Sequence, residues 1–166
     1  MNHERDIDVL SFGESLVDFL PDQKGVPLSR VETFRKVVGG APTNLALGVG
    51  RLGRTAALIG KIGADEFGDF IVDSLDQTGV VTSGIHRTDQ ARTGLTFVTL
   101  DQEGDRSFLF YRNPSADELL EPDEVDPELV ARSRIFQVGS NMLTDERLRR
   151  TTLRAVELAE QSGCLI

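Results

Sequence analysis

The run Gly39-Gly40-Ala41-Pro42-Thr43-Asn44 holds the residues best suited to chemistry in this chain. Paired glycines turn the backbone tightly and leave N–H groups free to face a ligand, because glycine has no Cβ and reaches positive φ at little cost. Pro42 suits the first turn of a helix, where its missing N–H is not needed. Asn44, one turn inside, carries an amide that both donates to and accepts from a hydroxyl. Together these residues read as a site for a small hydroxylated molecule, with a plain tight turn at a helix start as the alternative. No Gly-Lys-Ser or Gly-Lys-Thr follows, so the run is not a Walker-type phosphate loop and a nucleotide is expected to bind elsewhere. Asp18, just beyond the apolar strand Val9–Gly13, is the carboxylate that could join the glycine pair, or else a solvated turn residue. His3 and His86 lack metal-ligand spacing, and Cys164 reads as an inert core thiol.

These residues must be held by an alternation of strands and helices. A helix over Thr43–Leu52 would bury Leu45, Ala46, Val49 and Leu52 and stop at Gly53, with a strand over Thr55–Gly60 to follow. Phe67, Phe70, Ile71 and Leu75 recur at helical spacing, which predicts a second helix from Asp65 or Glu66 to Thr78, closed by Gly79 and followed by a strand over Val80–Ile85. Gly94–Leu100 and Arg106–Arg112, joined by a polar loop, predict a β-hairpin. A helical turn at Asp117–Leu120, a short helix over Pro127–Ser133, a strand over Arg134–Ser140 and a helix capped by Thr144 and running to Gln161 come next. Cys164–Ile166 would open another strand. Strands alternating with helices predict an α/β fold with a mainly parallel sheet. Ser140, after a strand end, is placed where ligands of such sheets gather.

The segment Gly39–Gly63, with Phe12–Asp18, Ile62–Gly68 and Phe110–Asp117 around it in order, resembles the ribokinase-like (PfkB) carbohydrate kinases, and among them the fructokinases, over essentially the whole length. That resemblance implies a single domain over residues 1–166 forming part of a three-layer α/β/α sandwich, with a small β-sheet lid built from about residues 16–20, 34–38, 94–100 and 106–112. It implies that Asp18 accepts hydrogen bonds from two sugar hydroxyls and that Gly39, Gly40 and Asn44 orient the same sugar. Arg112 would reach the sugar or the transferred phosphoryl, unless it pairs with an acidic neighbour. Phe97 would close over the sugar's apolar edge, unless it serves packing or a dimer contact. The implied reaction moves the γ-phosphoryl of ATP, with Mg²⁺, to fructose, giving fructose 6-phosphate. 2-Keto-3-deoxygluconate and ribose are the competing substrates, and a non-catalytic sugar-binding or lid-mediated dimerisation module is the competing class. The family's Asp-Thr-x-Gly-Ala-Gly-Asp run, which carries the catalytic base and anion hole, is not found here. No residue of this chain is therefore assigned as catalytic, and 166 residues alone are expected to be inactive.

Composition is consistent with that class. The chain has 27 acidic and 18 basic residues, a net charge of -9, which disfavours nucleic acid and anionic membranes as partners. No stretch approaches the roughly 20 apolar residues that cross a bilayer, and the first residues lack the apolar core of a signal peptide. A single cysteine excludes an internal disulfide and points to a reducing cytoplasm. An unfinished sheet edge around Cys164–Ile166 predicts a tendency to aggregate.

Overall fold

Buried apolar runs make the first sheet, in the computed structural model, which describes residues 5–166. His3 and the rest of residues 1–4 lie outside the described residues. Strands β1 (Ile7–Phe12), β4 (Ala56–Gly63), β5 (Val81–Thr88) and β8 (Ser133–Val138) form a four-stranded sheet in the order β5-β4-β1-β8. All three pairings are parallel. A parallel sheet needs cover on both faces, and the two faces of β4 divide accordingly. Ala57 and Ile59 join Leu10, Phe12 and Phe136 in a core under α3 (Pro127–Ala131) and α4 (Glu146–Gln161), whereas Ala56 and Leu58 pack with α1 (Ala41–Arg51) and α2 (Glu66–Asp76). The fold is thus the α/β sandwich that the alternation predicts.

A second four-stranded sheet stands apart, formed by β2 (Leu16–Pro21), β3 (Phe34–Gly39), β6 (Gly94–Leu100) and β7 (Arg106–Tyr111) in the order β3-β2-β6-β7. The expected hairpin is its antiparallel β6–β7 pair. β2 pairs antiparallel with β3 and parallel with β6. Asp65 ties this sheet to the sandwich. Its carboxylate caps α2 by accepting from Phe67 N–H (3.1 Å) and Gly68 N–H (2.9 Å), and it also accepts from Thr93 N–H (2.9 Å) at the entry to β6. Desolvation acts to raise the Asp65 carboxyl, but these donors outweigh it and hold the group below the usual carboxylate range.

Several boundaries differ from the sequence expectation. Helix α1 starts at Ala41 and buries Pro42, Thr43, Ala46 and Leu47, while Leu52 is 83% exposed. Close approach to the sheet selects the small residues, and Leu52 falls at the C-cap, past the last turn that faces it. Asp145, rather than Thr144, caps α4, accepting from Leu148 N–H at 3.0 Å. The Thr144 hydroxyl instead donates to the Asn141 carbonyl and ends a 3-10 turn over Ser140–Leu143. Strand β8 ends at Val138, because that turn takes up Ser140. Leu165 makes a parallel bridge to Ile135 on the free side of β8. Cys164 is half-buried, and burial pushes its thiol up.

Candidate functional site

The glycine turn is shaped by what surrounds it. Gly40, the N-cap of α1, has φ +94°. A Cβ there would collide with the Glu14 carbonyl oxygen. That carbonyl accepts from Thr43 Oγ1 (3.0 Å), and Thr43 Oγ1 also shares a 2.7 Å hydrogen bond with Ser15 Oγ. The buried Glu14 carboxylate accepts from Ala41 N–H (3.3 Å) and from Asn141 Nδ2 (3.1 Å). The first turn of α1 is thereby tied to the β1–β2 turn and to the loop after β8. A Cβ on Gly39 would run into both carboxylate oxygens of Asp18, so the missing side chain is what lets the Asp18 carboxylate lie over the strand end.

Asp18 and Asn44 line one cleft of about 540 Å³, within the roughly 300–1,000 Å³ range of small-molecule sites. Lys36 on β3, Arg51 on α1 and Arg106 on β7 bring cations to its lining, and Gln77 and Thr78 bring neutral polar groups. Burial raises the Asp18 carboxyl above its ordinary value, partly offset by the hydroxyl of Thr96. A half-buried carboxylate under that strain suits hydrogen-bond donation by ligand hydroxyls, which favours its charged form.

The structure does not bring the other candidates to this cleft. Residues opposite one another on paired strands share a sheet face, so Thr96 and Phe110 lie on the Asp18 face, as do Val98 and Phe108 in the next row. Phe97 is opposite Phe19, on the other face. There it stacks on Phe19 at 5.0 Å between centroids and meets Phe34 and Tyr111 edge-on. The aromatic pair on the Asp18 face is Phe108 and Phe110, each 52% exposed and stacked at 6.0 Å. Arg112 is paired with the buried carboxylate of Asp117, and its Nε donates to Ser115 Oγ at 3.4 Å. Burial drives the Asp117 carboxyl up, and Arg112 and Ser115 oppose it. Arg112 therefore anchors the segment after the hairpin and borders a separate surface cleft with Glu118 and Arg147. Ser140 is exposed and lines no part of the Asp18 cleft, whereas its neighbour Asn141 reaches Glu14. His86 shares a 2.7 Å hydrogen bond with the Glu124 carbonyl and is structural.

Residues 6–166 match the pfkB family carbohydrate kinase profile. The chain belongs to the pfkB family of carbohydrate kinases. It is 48% identical over 158 residues to fructokinase-1 of Zea mays, covering 95% of this chain and 49% of that protein. Its fold superposes on the crystal structure of fructokinase from Xylella fastidiosa with a TM-score of 0.85 at 41% identity, covering 95% of this chain and 48% of that one. The ATP-bound crystal structure of the Xylella fastidiosa enzyme gives 0.83 at 41% identity, covering 95% of this chain and 46% of that one. The pfkB chain described here thus spans about half the length of the curated relatives it matches. Among the described residues no cluster of three or more His, Cys, Asp and Glu is arranged to hold a metal ion. Among them, too, no helix is long and apolar enough to cross a membrane.

Proposed function

We propose that this chain forms the sugar-binding part of an ATP-dependent sugar kinase of the reducing cytoplasm, with fructose as the preferred acceptor. The shared cleft of Asp18 and Asn44, beside the Gly39-Gly40 turn, is the observation that carries it. Asp18 accepts from sugar hydroxyls, and Asn44 and the backbone donors of the turn fix their orientation, which holds the acceptor still for in-line attack. ATP supplies the phosphoryl group, in keeping with the family and its ATP-bound relative, and Mg²⁺ would accompany it. General-base catalysis is worth about 100- to 10,000-fold, and no base is assigned among these residues, so turnover requires the Asp-Thr-x-Gly-Ala-Gly-Asp run that this sequence lacks. Calorimetric titration with fructose, ribose and 2-keto-3-deoxygluconate tests the proposal. Fructose is expected to bind tightest, with no ADP formed when ATP and Mg²⁺ are added. Failure of every sugar to bind, or turnover by the 166 residues alone, overturns it.

The lid edge supports a second copy of this chain as partner. All six residues of β7 are exposed, and its outer edge is unpaired. An isologous pairing of two lids would cover Phe108 and Phe110 and remove that edge. Sedimentation velocity is expected to give a dimer, and Phe110→Glu a monomer. A wild-type monomer at every accessible concentration rules this pairing out.

A further inference from the structure

Two buried side-chain oxygens among the described residues have no hydrogen-bond partner, Glu14 Oε2 and Thr96 Oγ1. The second stands in a telling place. Thr96 is 1% exposed and is the Cα register partner of Asp18 across the parallel β2–β6 pair, on the same sheet face. A buried hydroxyl without a partner is uncommon in folded proteins, and valine would fill the same space with no polar atom to satisfy. The Asp18 carboxylate lies directly over Gly39, in the space that a Cβ there would take. We infer that Thr96 is a positioning residue whose hydroxyl donates to the Asp18 carboxylate when that group is charged and engaged by a sugar, fixing it over Gly39. A threonine hydroxyl is one donor whose hydrogen turns freely about the C–O bond toward an acceptor.

The surroundings leave this task to Thr96. The charged groups lining the Asp18 cleft are Lys36 from β3, Arg51 from α1 and Arg106 from β7, while α2 contributes Phe70 and Ser74 and the turn after it Gln77 and Thr78. Glu14 lies behind Gly40 and is held by Ala41 N–H and Asn141. None of these has a hydrogen bond to Asp18, and the Thr96 hydroxyl, though not in hydrogen-bond geometry with it, lies near enough to favour its charged form. Loss of the hydroxyl destabilises the charged form alone, so the Asp18 titration moves to higher pH.

The inference rests on the sugar-site reading for its consequence, but its physical core is testable without a sugar. Carbon-13 NMR titration of the Asp18 carboxyl in the free chain should show a higher midpoint in Thr96→Val and Thr96→Ala than in wild type, with Thr96→Ser restoring it. Fructose affinity by calorimetry should fall about tenfold in Thr96→Val, the size expected for one hydrogen bond to a charged group, and recover in Thr96→Ser. An unchanged Asp18 midpoint in both hydroxyl-free variants overturns the inference. So does an affinity loss that serine fails to rescue. If wild type binds no sugar while the midpoint still moves, the sugar-site reading falls and the Thr96–Asp18 contact stands.

Discussion

Replacing Gly40 by alanine is expected to lower the melting temperature by about 4–24 °C, at about 2–4 °C per kcal/mol for a protein of this size. The backbone there sits at φ +94°, where a residue with a Cβ is strained by about 1–3 kcal/mol. The added methyl also meets the Glu14 carbonyl, a backbone atom that cannot rotate away. Forcing packed backbone apart costs a further roughly 1–3 kcal/mol. A total of about 2–6 kcal/mol is a large part of the roughly 5–15 kcal/mol that holds a domain folded. Thermal unfolding followed by circular dichroism checks it, and a shift of under about 3 °C would mean that the turn relaxes without strain.

The neighbouring glycine should behave in the opposite way. Gly39→Ala is expected to weaken fructose binding at least as much as Asp18→Ala does, while leaving the melting temperature close to wild type. The atoms nearest an added Cβ at position 39 all belong to the carboxylate of Asp18, the far end of a side chain that can swing aside. Stiffening the unfolded chain gains about 0.4–1 kcal/mol, which offsets that small displacement. For the ligand the displacement is severe. Two hydroxyl bonds to a charged carboxylate are worth about 1.5–3 kcal/mol each, so losing both lowers affinity by about 100-fold or more at 1.4 kcal/mol per decade. Binding should also fade on acidification. The Asp18 carboxyl is raised in the folded chain, so the charged acceptor, and with it the affinity, is lost as pH falls through a point above the usual carboxylate range. By the same sign, folding favours the protonated form. Asp18 therefore contributes stability that is fully present below its unfolded pKa and is lost as pH rises through the folded one. Calorimetry across the acid range checks both variants and the wild type. Equal affinities for Gly39→Ala and wild type would show that Asp18 does not touch the ligand.

Local chemistry made much of the architecture legible. The capping carboxylate at Asp65, the stop at Gly53 (φ +75°) and the hairpin each depend on residues a few positions apart. The misplacements share another cause. Sequence reasoning names Phe97 as the lid aromatic and passes over Phe110, although each lies on a strand of the same hairpin. Which one faces Asp18 depends on the parity of the β2–β6 register, a parallel pairing between segments about 80 residues apart in number. A slip of one residue would exchange them. Arg112 admits two readings from sequence, and the buried Asp117 five positions on decides between them.

The sequence by itself determined that paired glycines, a proline-started helix and an asparagine form a turn suited to hydroxyl recognition, and that strands and helices alternate in a parallel α/β fold. Only the tertiary structure decided that the Asp18 carboxylate lies over Gly39, that Thr96 stands beside it, and that Phe97 and Arg112 are taken up in packing and ion pairing. Turns and caps follow from neighbours along the chain. Which face a strand residue shows is fixed only when distant segments pair, and which charge a cation meets is fixed by which carboxylate the fold buries beside it.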